Sequence, residues 1–272
     1  MIRQMRPEDL GAAMRLKQAA AWNQTEQDWV NVMALEPEGC WVWEQDEQVV
    51  GTTTAVCYGQ ELAWIGMVLV LPECRGKGIG RGLMEHALEW LERRGIRQVK
   101  LDATDMGRPL YAKLGFYVEQ PIERWGAGSG QWPVASGQYG QPRRLEVMDR
   151  ECFGVDRAML YECLLAAFPG QGAWEPGKGF CLGRPGSNAY YLGPCQAVDA
   201  GVAGGLIRAA MLRARAAAYF WDLFPAVGPA VDLARELGFE RKRTLWRMAL
   251  RPQTGLPGRP ERVFGVAGFE YG

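Results

Sequence analysis

The stretch Val68-Leu-Val-Leu-Pro-Glu-Cys-Arg-Gly-Lys-Gly-Ile-Gly-Arg-Gly-Leu83 runs from an apolar strand, through a turn carrying R-x-x-G-x-G at Arg75 to Gly80, into a helical pattern. At a helix N-terminus the first amides lack intrahelical acceptors and the dipole is positive, so several N–H groups converge on one anion. Gly76, Gly78 and Gly80 remove side chains and permit the positive φ that lets backbone approach a phosphate. Arg75, Lys77 and Arg81 add charge around Ile79, and the whole turn suits a pyrophosphate. Other phosphate loops fit worse. There is no G-x-x-x-x-G-K-[ST] of the kind that cradles a nucleoside triphosphate. Glycine in such a turn can also serve geometry alone.

Upstream, Ile2 to Met5 reads as a short strand, and Pro7-Glu8-Asp9 opens an amphipathic helix to about Ala21. Thr25 with Asp28 resembles a capping box for a second helix whose apolar face is Trp29, Val32, Met33 and Leu35. Cys40 to Glu44 and Val49 to Tyr58 read as a hairpin turned at Asp46-Glu47, and Leu62 to Leu71 as a strand covered on both faces. Downstream, Gly78 to Arg94 is a long helix with Leu83, Ala87, Leu88 and Leu91 at helical spacing. Val99 to Ala103 is a strand, Arg108 to Leu114 a short helix, and Phe116 to Trp125 a last strand. Residues 1–125 are therefore expected to form an α/β, or α+β, domain with a mixed sheet.

Residues 126–143 have the Gly, Ser, Gln and Pro content of a linker. Beyond them, residues 144–252 repeat part of the first half. Lys113-Leu-Gly-Phe116 recurs as Glu236-Leu-Gly-Phe239, each preceded by a short helix and followed by a strand. Further upstream lie a strand (Val99 to Ala103; Ala218 to Leu223), a long helix (Gly78 to Arg94; Asp199 to Arg215) and a proline (Pro72; Pro194). This reads as two copies of one fold, the second worn. At the place of the glycine-rich turn the second copy has Pro194-Cys-Gln-Ala-Val-Asp-Ala-Gly-Val-Ala-Gly204, without arginine. Asp199 there is a good helix cap and repels a diphosphate, so this copy is expected to bind none. Residues 253–272 form a tail whose Val263-Phe-Gly-Val-Ala-Gly-Phe269 is apolar enough to dock.

The 272 residues include 31 Lys plus Arg and 31 Asp plus Glu, a net charge of zero that offers no field to draw in nucleic acid or anionic lipid. With 48% apolar and 23% charged residues the chain has the composition of a folded protein. Its start lacks an apolar signal segment, and the longest apolar stretch, Ala63 to Leu71, is roughly half a membrane span. A soluble cytoplasmic protein is expected. The 7 cysteines form no CxxC pair and read as reduced thiols, with no metal site. The single histidine, His86, leaves no partner for a Cys-His or Ser-His-Asp relay; it reads as a surface or half-buried residue.

Residues 1 to 125 resemble the GNAT superfamily of N-acetyltransferases. The resemblance rests on the strand followed by Arg75-x-x-Gly78-x-Gly80, on the helix after it, and on Pro109-Leu-Tyr-Ala-Lys-Leu-Gly-Phe116, where such enzymes carry a Tyr ahead of a Gly-Phe. The tandem arrangement looks like bacterial two-domain members with a degenerate second copy. The resemblance implies a mixed-sheet GNAT fold, acetyl-coenzyme A as donor, no metal, and a primary amine, expected to be a small molecule, as acceptor.

In that fold the strand at Met67 to Val70 splays from its neighbour. Val68, Leu69 and Val70 are then the residues whose free backbone pairs with the pantetheine amides, and an N–H near Leu69 polarises the thioester carbonyl. With Arg75, Gly76, Lys77, Gly78, Ile79, Gly80 and Arg81 they make up the expected coenzyme site. The family's usual glutamate position falls at Trp64, which leaves Glu61 and Asp102 as candidate bases. Tyr111 is the candidate general acid for the departing thiolate, or else a core aromatic; the second copy has Ala234 in its place. Trp22, Trp29, Trp41 and Trp43 either line an apolar pocket or pack the core. The second copy either covers the acceptor side with Trp174, Tyr190, Tyr191 or Trp221, or forms a homodimer contact. A non-catalytic acyl-coenzyme A sensor is the alternative to an enzyme.

Overall fold

Residues 1–130, 144–250 and 258–272 are described by the computed structural model of the chain. The N-terminal pattern folds as β1 (Ile2–Gln4), α1 (Leu10–Ala19), α2 (Glu26–Leu35) and the hairpin of β2 (Cys40–Gln45) and β3 (Gln48–Tyr58). Thr25 and Asp28 form the expected capping box, the Thr25 amide donating to Asp28 at 2.7 Å. Asp46 and Glu47 take φ of 50° and 60°, the left-handed pair that a two-residue turn between twisted strands requires. β4 (Leu62–Val70), α3 (Ile79–Arg93), β5 (Gln98–Ala103), α4 (Arg108–Lys113) and β6 (Phe116–Gly128) complete the first half. β4 is apolar throughout because both of its faces are covered. Trp64 packs on one side with Leu16, Trp29 and Val32, while Ala63 and Ile65 pack on the other with Met84, Ala87 and Leu91 of α3.

The second half comprises α5 (Leu145–Phe153), α6 (Ala158–Ala167), β7 (Gly172–Glu175), β8 (Gly179–Arg184), β9 (Tyr190–Ala197), α7 (Ala200–Ala214), β10 (Ala218–Leu223), α8 (Gly228–Glu236), β11 (Glu240–Leu250) and β12 (Val263–Gly265). From α7 to β11 the order long helix, strand, short helix, strand repeats that from α3 to β6, as the Leu-Gly-Phe recurrence indicates.

All strands join one sheet in the order β1-β2-β3-β4-β5-β11-β6-β10-β9-β8-β7, with β12 added against β9. The halves interlock in the middle of that order. β11 lies between β5 and β6, pairing from Trp246 with Ala103 to Leu250 with Val99 on its β5 side. β6 in turn pairs with β10 from Glu123 to Gly128. Each half thus lends its last strand to the other. Residues 126–128, expected to begin a linker, instead end β6. The linker residues 131–143 lie outside the described residues, as do residues 251–257 at the root of the tail.

The tail docks twice. β12 pairs antiparallel with β9, and Val266 N–H donates to Asp222 O of β10 at 3.0 Å, so this segment lies between the two strands. The chain then crosses to the first half, where Ala267 and Tyr271 join the core around α1, α2 and β4. Tyr58 donates its hydroxyl to Tyr271 O at 2.7 Å. Full burial of a side chain the size of Tyr271 stabilises this docking by about 2 kcal/mol. Among the described residues no helix is long and apolar enough to cross a membrane.

Candidate active site

β4 and β5 run parallel and pair only from Leu62 with Gln98 to Trp64 with Lys100. The pairing stops because β4 is bulged. Its register against β3 shifts between Thr52 and Thr54, Met67 takes a φ of 50°, and Thr52 Oγ1 donates to Met67 O at 2.7 Å. A bulge adds local twist and turns the strand away from its neighbour. The rest of β4 therefore faces a cavity of about 840 Å³ instead of β5. Leu71 N–H donates to Val50 O, so strand alternation directs the backbone of Leu69 to β3 and that of Val68 and Val70 into the opening. Of the three candidates, Leu69 therefore turns its backbone to β3, and the N–H groups near it that reach the opening are those of Val68 and Val70.

The glycine-rich turn forms one wall of this cavity. Gly76 and Gly78 take φ of 75° and 81°, and a Cβ built on either meets no atom within 4 Å. These glycines serve backbone conformation and leave open space above the turn. Gly78 caps α3 without any side-chain bond, and the first intrahelical bond is Gly82 N–H to Gly78 O at 2.9 Å. The amides of Ile79, Gly80 and Arg81 consequently have no intrahelical acceptor. Arg75 is tied down by Nε donating to Val70 O at 3.1 Å, whereas Arg81 pairs on the surface with Glu85 at 2.8 Å. Arg75, Gly76, Gly78, Ile79, Gly80 and Arg81 line the cavity; Lys77 is exposed at the turn. Unpaired amides, left-handed glycines and a strand edge that opens beside them fit a diphosphate followed by an amide-bearing arm.

A model of the acetyltransferase (GNAT) family matches residues 6–116, and a model of a GNAT acetyltransferase domain matches residues 145–265. The chain belongs to the GNAT acetyltransferases. Its sequence is 30% identical over 103 residues to an uncharacterized N-acetyltransferase of Methanocaldococcus jannaschii, covering 35% of this chain and 46% of that protein. An uncharacterized N-acetyltransferase of Archaeoglobus fulgidus is 31% identical over 99 residues, covering 34% of this chain and 65% of that protein. The chain thus matches about half to two thirds of the length of these relatives. Among solved structures, a candidate acetyltransferase from Pyrococcus horikoshii superposes with a TM-score of 0.86 at 21% identity, covering 100% of this chain and 95% of that one. A GCN5-related N-acetyltransferase from Sphaerobacter thermophilus gives 0.67 at 17% identity, covering 95% and 98%. These two likenesses concern the fold, and they extend over both GNAT copies.

The remaining candidates separate clearly. Tyr111 on α4 lines the cavity, packs edge-on to Phe116, and has its phenol pushed up by burial. Asp102 also lines it, but Arg247 grips both carboxylate oxygens at 2.9 and 3.0 Å while stacking on Trp64. Burial raises the Asp102 carboxyl and Arg247 opposes the rise. Glu61 stands exposed in the β3–β4 turn, apart from the cavity, so the geometry gives it no part as a base. Trp64 fills the family's glutamate position completely buried, its indole donating to Phe269 O at 3.1 Å. Trp22 reaches the cavity; Trp29 is core, Trp41 packs edge-on to His86 and Trp90, and Trp43 lies over Gly82.

The second copy supplies the far wall, with residues other than those expected. Trp174, Tyr190, Tyr191 and Trp221 do not line the cavity; Arg243 and Leu245 of β11 and Phe269 and Glu270 of the tail do. Glu270 lies against Gly66, where an added Cβ would meet its Cα at 3.0 Å. Its carboxylate accepts from Arg184 at 2.6 Å and from Gln24 at 2.8 Å, and burial raises its carboxyl against the pull of Arg184. The apolar run at Val263 to Phe269 signalled that the tail docks. Nothing in the sequence said that Glu270 would arrive beside β4, because the contact spans roughly 200 residues of chain.

Proposed function

We propose that the chain is an N-acetyltransferase that moves the acetyl group of acetyl-coenzyme A onto a primary amine of a small molecule by direct attack. The observation that supports this reading best is the continuity of one cavity from the bare amides of the α3 turn, along the freed edge of β4, to a chamber walled by the second copy. The turn between Arg75 and Arg81 holds the diphosphate, and the backbone of Val68 and Val70 pairs with the arm as an added strand would. The same edge donates an N–H to the thioester oxygen, where negative charge develops during attack.

In the transfer the amine nitrogen bonds to the acetyl carbon, the carbon–sulfur bond breaks, the nitrogen sheds a proton and the sulfur gains one. A lysine-like amine costs about 4 to 5 kcal/mol to hold neutral near pH 7, so the enclosed chamber must favour the uncharged form. The proton for the sulfur comes from Tyr111, which burial keeps in its neutral, donating form. The reading is tested by release of free thiol from acetyl-coenzyme A with a panel of amines. Tyr111→Phe is expected to lower kcat on the order of 100-fold or more while leaving coenzyme affinity unchanged by calorimetry.

One observation favours a second reading, a coenzyme-binding sensor: Trp64 stands where the family carries glutamate, and Asp102 and Glu270 are both engaged by arginine. Tight coenzyme binding with no thiol release for any amine supports the sensor.

A further inference from the structure

The buried arginines of this protein come in matched sets. Arg124 holds Asp222 at 2.7 Å, Arg157 holds Asp149 at 2.6 Å, Arg184 holds Asp28 at 3.0 Å and Glu270 at 2.6 Å, and Arg247 holds Asp102 at 2.9 Å. A charge taken out of water without a counter-charge is costly, so such pairing is what a buried arginine requires. Arg243 is the exception. It is half-buried in the cavity wall, its Nε has no hydrogen-bond partner, and among the described residues no carboxylate lies within ion-pair distance of it. Burial, with the neighbouring Arg124 adding repulsion and Asp222 partly opposing both, pushes its guanidinium down to about 10. Asp222 is itself gripped by Arg124, and Glu123 by Arg241, so neither carboxylate forms an ion pair with Arg243. Phe269 carries both Arg124 and Arg243 against its ring, at 4.8 and 5.9 Å.

Arg243 lines the wall of the cavity that β11 and the tail supply, together with Leu245, Phe269 and Glu270, and this is the wall of the proposed acceptor chamber. The acidic groups of the cavity are already engaged, Asp102 by Arg247 and Glu270 by Arg184, which it shares with Asp28. Among the described residues, Arg243 is the half-buried charge of the cavity wall that has no ion-pair partner. Resting on the acetyltransferase reading above, we propose that the acceptor is an amine that also carries a carboxylate, and that Arg243 is the specificity-determining residue that binds this carboxylate. The planar guanidinium presents paired donors that match it, and the ligand supplies the counter-charge the fold withholds.

Calorimetry with acetyl-coenzyme A comes first, on the full chain. No binding overturns the acetyltransferase reading and this inference with it. With binding established, thiol release is compared for matched amines that differ only in a free carboxylate or its amide, alongside a polyamine. The carboxylated member is expected to show kcat/KM higher by on the order of 10- to 100-fold, and Arg243→Gln to erase that advantage chiefly through KM, with Arg243→Lys retaining part of it. Coenzyme affinity in Arg243→Gln should stay within about twofold, and its melting temperature should not fall, since no ion pair is lost. Equal rates for the two members, a preference for the polyamine, weakened coenzyme binding or a lowered melting temperature in Arg243→Gln would each overturn the assignment.

Discussion

The two copies differ most where they correspond most closely, at the strand and helix start that face the ligand cleft. In the first, β4 parts from β5 after Trp64, and the gap is the cavity. In the second, β9 pairs with β10 from Tyr190 to Leu192 and then parts from it, but the gap is filled by the chain itself. β12 enters there, pairing with Gln196 and Cys195, and Trp221 donates its indole N–H to Phe264 O at 2.8 Å. The helix starts differ in the same sense. Gly78 leaves the α3 amides open, whereas Asp199 turns its carboxylate onto the Val202 amide at 2.9 Å. One GNAT copy leaves its backbone donors open to the cavity, and the other consumes them internally. The same tail serves both ends, closing the second cleft and then walling the first.

That contrast is tested most severely at Phe264, which is 2% exposed in the filled cleft. Phe264→Ala is expected to cost about 3 to 5 kcal/mol of stability, read by urea unfolding, through lost burial and a cavity. If β12 only plugs the second copy, coenzyme affinity of the folded variant stays near that of the parent. A large loss of affinity would mean that the two clefts are not separable. Next in size is Gly78→Glu. The position needs a φ of 81° and has open space, so the side chain fits at a strain cost of about 1 to 2 kcal/mol but sets a carboxylate among the free amides. Coenzyme Kd should rise on the order of 100-fold, measured by calorimetry. A variant that binds as tightly as the parent would remove the α3 turn from the site.

The contrast also shows what could be read from the chain. The α3 turn was legible because glycine spacing, flanking arginine and the strand before it are local, and the capping box at Thr25 and Asp28 was legible for the same reason. So was the cap at Asp199, whose effect is confined to one helix turn. The exchange of β6 and β11 was not legible. Either strand satisfies its own pattern in its own copy, and only tertiary pairing decides which neighbour it takes. Glu61 was suggested by nearness in sequence to Trp64, yet the strand carries Trp64 into the sheet and leaves Glu61 in an exposed turn. Arg243 had no signal among its basic neighbours Arg241 and Lys242. Those two pair with Glu123 and Glu240 at the surface, and only the β11 register turns Arg243 into the cavity.

The smallest expected effect falls on the second helix start. Asp199→Gly removes a cap worth about 1 kcal/mol against alanine and only a few tenths against glycine, so the melting temperature should move little. The substitution also removes the carboxylate that repels a phosphate, and makes this turn more like the one at Gly78. If repulsion alone kept the second copy empty, the variant would gain a second coenzyme site. Because β12 still occupies the strand edge that the pantetheine arm would need, calorimetry is expected to return an unchanged stoichiometry of about one per chain. A second binding event would show that a single carboxylate, and not the tail, separates the two copies.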